Sequence, residues 1–213
     1  MTTTFTHTIG SSGNTGDGVN GDYSTVLSWE QAAPASLTTA DEDWQGKLQQ
    51  QVLSVAGTVG TFAGSTVDAT RYKELTPVTG ASWGEAGVHG AVDATGAAAL
   101  LKGTAATNIV VVSEDYVRCN RFQIQGTSGG GAAAITASGN AHADLDRLLC
   151  ETFGTNTTNM CARVTGSNRL RNSLVIQRSS GASGIIAHSD WASEGGLFNN
   201  TFVCPSDLTK ATI

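Results

Sequence analysis

Four short apolar runs recur along the chain at nearly constant spacing: NRFQIQG at 120–126, LDRLLCE at 145–151, RNSLVIQ at 171–177 and NNTFVC at 199–204. Aligned on their apolar pairs, Phe122/Ile124, Leu148/Cys150, Leu174/Ile176 and Phe202/Cys204, they lie 26, 26 and 28 residues apart. Members of a pair are two residues apart, so both side chains leave the same side of a strand. A unit this short cannot bury its own apolar face, but a stack of such units can. The spacing therefore predicts a ladder of Phe122, Leu148, Leu174 and Phe202 inside a stack, and a second of Ile124, Cys150, Ile176 and Cys204. Leu149, Val175 and Val203 would then face the other way.

A second strand-like run precedes each pair: Ile109–Val112, Ala134–Ala137, Ala162–Val164 and Ile185–Ala187. A polar corner follows each: SED at 113–115, SGN at 138–140, GSN at 166–168 and HSD at 188–190. Each unit reads as strand, polar corner, strand, Gly/Ser/Asn loop. The expected fold is all-β, a single-stranded parallel β-helix, with a β-sandwich of coincidental spacing as the alternative. Asn120, Asn168, Asn172, Asn199 and Asn200 suit turn positions with positive φ, or an asparagine ladder. Cys150 and Cys204 stand where isoleucine stands in other units, which makes them small buried hydrophobes. Cys119 and Cys161 fall near other strands and can also face inward.

The earlier half is less regular. Residues 1–22 are rich in Thr, Gly, Ser and Asn and read as a flexible arm, floppy or ordered on a neighbouring subunit. Residues 23–45 form a cap: Ser24 or Thr25 starts a short helix, Val26, Trp29 and Ala33 share its apolar face, and Pro34 stops it. The segment LTTADEDWQG reads as a turn into a strand. The β-helix spans 46–213, with irregular coils over 46–107 and regular ones over 108–204. Strands are expected at Leu48–Leu53, Thr61–Ala63, Tyr72–Leu75, Ala97–Leu101 and Ile109–Val112. Residues 81–96 make a loop excursion whose Trp83 packs back on the body.

Composition fits many short strands with tight corners: 26 glycines, three prolines and 14% charged residues. With net charge −6 and only Lys47, Lys73, Lys102 and Lys210 as lysines, no basic run exists, which argues against nucleic acid. No apolar stretch reaches the ~18 residues of a membrane span. MTTTFTHTIGSSGNTG lacks the charged and apolar regions of a secretory signal, so synthesis in a cytoplasm is expected. His7, His89, His142 and His188 are scattered and no CxxC occurs, so no metal or cofactor is expected. Neither a phosphate-binding glycine loop nor a GxSxG elbow is present.

In order along the chain, DYSTVLSWEQAAPASLTTADEDWQGKL, FAGSTVDATRYKELTP, SEDYVRCNRFQIQG and VTGSNRLRNSLVIQ resemble right-handed parallel β-helix proteins encoded by phages and prophages. Such modules occur in tail spikes, fibres and other virion proteins. The resemblance runs over roughly residues 20–204. It implies an amphipathic helix plugging the N-terminal end of the solenoid, a role that residues 24–33 match. Unlike long receptor-binding spikes, the chain shows four regular coils, and no enzymatic head or trimerisation module is expected after them.

A β-helix glycosidase would set two carboxylates ~5–10 Å apart. Candidates are Asp144 and Asp146 with Arg147, Glu114 with Asp115, and Asp190 with Glu194 beside Trp191. Asp144 and Asp146 can share one strand face, but the neighbouring coils offer Arg118 and Arg171 rather than a second acidic pair. The expected role is therefore non-enzymatic, with no catalytic residue assigned: a phage virion structural protein on the particle exterior, made in the host cytoplasm. It would be a capsid decoration, head fibre or spike base. The alternative is a carbohydrate-active or glycan-binding β-helix. A bare last coil would expose strand edges, so other virion proteins or copies of the chain, a homotrimer above all, are the expected partners, with a host surface glycan as a further one.

Overall fold

The computed structural model describes residues 2–10, 23–83, 99–105, 107–127, 133–139, 142–153, 160–177, 185–187 and 195–203. Strand β1 (Thr3–Ile9) precedes two short helices, α1 (Val26–Gln31) and α2 (Leu37–Ala40). Coils of three strands follow. The first holds β2 (Glu42–Leu48), β3 (Val52–Val55) and β4 (Gly60–Phe62). The second holds β5 (Lys73–Pro77), β6 (Leu100–Gly103) and β7 (Val110–Val112). The third holds β8 (Val117–Asn120), β9 (Gln123–Thr127) and β10 (Ala133–Ala137). Then come β11 (Asp144–Asp146), β12 (Leu149–Phe153) and β13 (Met160–Val164). The fifth coil holds β14 (Arg169–Arg171), β15 (Leu174–Gln177) and β16 (Ile185–Ala187), and β17 (Gly196–Phe198) and β18 (Thr201–Val203) begin a sixth.

Every strand pairs in parallel with its counterpart one coil away, which gives three sheets. Sheet 1 runs β1-β2-β5-β8-β11-β14-β17, sheet 2 runs β3-β6-β9-β12-β15-β18, and sheet 3 runs β4-β7-β10-β13-β16. The all-β, parallel, stacked character expected from the repeat is present. The repeat reading held two strands per coil, whereas the structure has three. Runs such as LDRLLCE are two short strands, β11 and β12, bent apart at Arg147.

The inward columns are continuous. In sheet 1, Leu75, Cys119, Leu145, Leu170 and Leu197 stack in register. In sheet 3, Val110, Ile135 and Ala162 do so, beside Val112, Ala137 and Val164. In sheet 2, the column is Leu53, Leu101, Ile124, Cys150, Val175 and Phe202. This corrects the expected ladders. Leu149 pairs with Gln123 and Leu174 with Leu149, so β15 sits one residue off the sequence alignment. Val175 faces inward, and Leu174 and Ile176 face outward. A one-residue slip moves a whole strand's side chains to the other face, and in LVI both faces are apolar, so hydrophobicity alone could not fix the register. Corner hydrogen bonds fix it instead. Ser173 takes the place that Leu148 holds one coil earlier, and its Oγ accepts the Leu148 N–H at 3.0 Å.

Left-handed residues make the turn from sheet 1 to sheet 2. Arg121, Arg147, Asn172 and Asn199 follow β8, β11, β14 and β17 directly, with φ between 51° and 65°. Asparagine tolerates that conformation better than most side chains, so Asn172 and Asn199 fulfil the turn role expected of them. Asn120 instead lies in β8, while Asn168 and Asn200 bond between coils. The Oδ1 of Asn168 accepts from Ala143 N at 2.9 Å, and that of Asn200 from Ser173 N at 2.9 Å.

The N-terminal end is closed as the sequence suggested. Thr25 caps α1, sharing reciprocal hydrogen bonds with Ser28, and α1 buries Val26, Trp29 and Glu30. The Trp29 indole lies over Gly46, where an added Cβ would sit 2.8 Å from Trp29 Cε2 and 2.8 Å from Ile9 Cδ1. Trp29 also meets Phe62 edge-on at 5.9 Å. Two differences stand out. Residues 3–9, assigned by sequence to a flexible arm, form β1, because Phe5, His7 and Ile9 alternate with threonines and turn towards the core. Leu37–Ala40, read as a turn, is a helical turn capped by Ser36, and the following strand begins at Glu42 rather than near Leu48.

Candidate functional site on sheet 1

Sheet 1 turns a polar face outward. One column reads Thr6, Gln45, Glu74, Arg118, Asp144 and Arg169, and the next reads Thr8, Lys47, Thr76, Asn120, Asp146 and Arg171. Adjacent strands stand ~4.8 Å apart, so opposite charges on neighbouring coils can reach one another. Arg171 places an Nη 2.6 Å from Asp144 Oδ2, and Asn172 Nδ2 donates to Asp146 Oδ1 at 2.7 Å. Further towards the cap, Asn120 Nδ2 donates to Glu74 Oε1 at 2.9 Å. Asp144 and Asp146 therefore share a face, as their spacing implied, but each is held by a cation or an amide from the next coil. Arg147 adds only a 3.6 Å contact to Asp146.

Beside these columns lies a hollow of about 230 Å³ lined by Tyr116, Arg118, His142, Asp144, Ser167 and Arg169, among others. Tyr116 and His142 occupy matching positions on successive coils, and their rings stack with centroids 5.1 Å apart at 8°. The Arg118 guanidinium sits 3.5 Å above the Tyr72 ring. Burial pushes the Tyr72 hydroxyl above its ordinary range, although Arg118 opposes that.

A second polar cluster is internal. Lys73 opens β5 on the inward side and is fully buried, with Nζ 2.8 Å from Glu30 Oε1 and 3.0 Å from Glu114 Oε1. Glu30 also accepts the Ala63 N–H at 3.0 Å, and Glu114 the Ser65 N–H at 3.0 Å. Glu30 comes from α1 and Glu114 from the corner after β7, so the lysine ties cap to body. Desolvation raises the Glu114 carboxyl above the usual range, and Lys73 and the Ser65 N–H only partly offset it. Glu114 thus serves the fold. It does not act with Asp115, which is exposed and lies 3.7 Å from His142 Nδ1. The sequence held one signal for this cluster: Lys73 alternates with Leu75 on a strand, where an apolar residue would be expected.

The remaining candidates divide as follows. Asp190, Trp191 and Glu194 lie outside the described residues, as do His89, His188 and Cys204. His7 is buried in β1 with its ring centroid 4.2 Å from that of Trp44. Cys119, Cys150 and Cys161 are buried; burial drives the first two far above the ordinary thiol range, so they act as hydrophobes as expected, while Cys161 Sγ donates to the Ile176 carbonyl at 3.1 Å. Trp83 packs back on the body through an indole N–H donated to the Arg147 carbonyl. Among the described residues no helix is long and apolar enough to cross a membrane, and no group of three or more metal-ligating side chains assembles. No protein-family model, no curated protein and no solved structure matches the chain.

Proposed function

We propose that the chain is a right-handed parallel β-helix serving as a non-enzymatic structural protein on the exterior of a phage particle, a capsid decoration, head fibre or spike base. The hand follows from the rule that parallel crossover connections within one sheet are right-handed in ≈ 98% of cases. The phage assignment rests on the resemblance of the quoted segments. The observation that carries the non-enzymatic role is the engagement of the surface acids: Asp144 is held by Arg171 and Asp146 by Asn172, both from the next coil. Carboxylates gripped by side chains of the next coil brace the stack rather than reach out to a substrate. A rigid stack of this kind suits the display or bracing of a particle surface.

The test is to raise antibodies against the purified chain and image gold-labelled intact particles, while assaying the same preparation for reducing ends released from host-surface polysaccharides. Label on particles without release supports the reading. Release of saccharide, lost on Asp144→Asn and Asp146→Asn, overturns it. A glycan-binding role is the second reading, favoured by the hollow with its stacked Tyr116 and His142 and its two arginines. Binding without cleavage in a saccharide array would favour it.

A further inference from the structure

Charge along the outward face of sheet 1 is divided by coil. Around β2 and β5 stand four outward or corner acids, Asp41, Asp43, Asp68 and Glu74, against two bases, Lys47 and Arg71. Around β8, β11 and β14 stand five arginines, Arg118, Arg121, Arg147, Arg169 and Arg171, against three acids, Asp115, Asp144 and Asp146. One half of the face carries net −2 and the other net +2. The protein as a whole is at −6, so the basic half stands against the average. No basic run in the sequence foretold it, because coil stacking collects arginines that the chain scatters.

We propose that this face joins two copies of the chain side by side and antiparallel. A two-fold axis near β5 and β8 sets the acidic half of each copy against the basic half of the other, as a self-complementary interface requires. Arg118, packed on Tyr72, lies close to that axis, and Tyr116 beside it, and arginine and tyrosine are the residues on which interfaces most often turn. The hollow lined by Tyr116, Arg118, His142 and Arg169 then receives side chains of the second copy. Three parallel copies, the arrangement expected from the sequence, would leave the charge division of this face without a counterpart. Seven strands at ~4.8 Å make a face ~30 Å long, which is at the small end for a stable contact and fits a weak association governed by charge. The proposal is independent of the virion reading, since it rests on the surface charges alone.

The experiment is sedimentation equilibrium of the full-length chain at about 20 mM and about 0.5 M salt, where screening shrinks charge interactions to a few ångströms. A dimer at low salt whose dissociation constant rises at least ~10-fold at high salt is expected. Arg147→Glu with Arg169→Glu should give monomer, as should Asp43→Lys with Glu74→Lys, and all four together should restore the dimer. Circular dichroism checks folding, and if either pair misfolds the other pair and the wild-type salt series still decide. A wild-type monomer at low salt, a trimer, or a dimer indifferent to both reversals overturns the proposal.

Discussion

Lys73 Nζ stands 2.8 Å from Glu30 Oε1, although 43 positions separate the two residues. A buried charge is tolerable only when paired and hydrogen-bonded, and removing one partner of such a group costs about 3–5 kcal/mol. Lys73→Met leaves Glu30 and Glu114 facing each other with no cation between them. Urea denaturation should show a loss of that order. Adding Glu30→Gln and Glu114→Gln to Lys73→Met should recover much of it, because the isolated charges are then gone. If Lys73→Met alone is as stable as wild type, the cluster is not what fastens the cap.

The same cluster sets a pH dependence. The Glu114 carboxyl is raised by burial, so the folded protein keeps its proton where the unfolded chain has released it. The stabilisation from this group is fully present below the ordinary carboxylate range and is lost as pH rises through the raised folded value. Glu114→Gln should flatten stability over that interval, as measured by thermal melts at stepped pH. At neutral pH it should leave the midpoint unchanged or higher, since a buried anion has been removed while Ser65 N–H keeps an oxygen acceptor. A lower midpoint at neutral pH with the slope intact would count against this account.

Register in β15 can be tested with one substitution at two neighbouring positions. Val175 lies in the inward column between Cys150 and Phe202 and is 4% exposed, whereas Leu174 faces outward and is only partly buried. Val175→Asp buries an unpaired carboxylate and should abolish folding or cost several kcal/mol. Leu174→Asp should fold, at a cost of about 1 kcal/mol. The sequence alignment, which put Leu174 inward, requires the reverse ranking by soluble yield and urea midpoint.

That contrast shows which parts of the fold could be read from the chain. Phe122 with Ile124 and Leu148 with Cys150 align as read, because the alternation in NRFQIQG sets the frame and the spacing of 26 carries it one coil on. The same spacing fails at Leu174–Ile176, because Val175 follows Cys150 by 25 residues and three apolar residues in a row hide the slip, and Phe202 joins the Ile124 column rather than that of Phe122. It also missed sheet 1 as a separate wall, since its strands β8, β11 and β14 hold three or four residues each and contribute one buried apolar column. The cap was legible because Thr25, Trp29 and Pro34 are local signals. The charged face was not, because Arg118, Asp144 and Arg169 become neighbours only through coil stacking. The acids at 144 and 146 were visible as a pair, but their partners Arg171 and Asn172 lie a full coil away.

The corners of sheet 1 offer the cleanest backbone test. Arg147 has φ 53°, a conformation that costs a side chain with a Cβ roughly 1–2 kcal/mol and costs glycine almost nothing. The contacts that hold this corner are main-chain ones: Arg147 N donates to the Arg171 carbonyl at 3.0 Å, and the Trp83 indole donates to the Arg147 carbonyl. Both survive replacement of the side chain. Arg147→Gly relieves strain in the folded state and adds freedom to the unfolded chain, so the two effects partly cancel and a net gain of up to ~1 kcal/mol is expected. Arg147→Val keeps the strain, adds a branched Cβ and should lose ~1–2 kcal/mol. Measuring both in high salt removes any contribution from association through the charged face. If valine were tolerated as well as glycine, the left-handed corner would not be the element that directs the chain from sheet 1 into sheet 2.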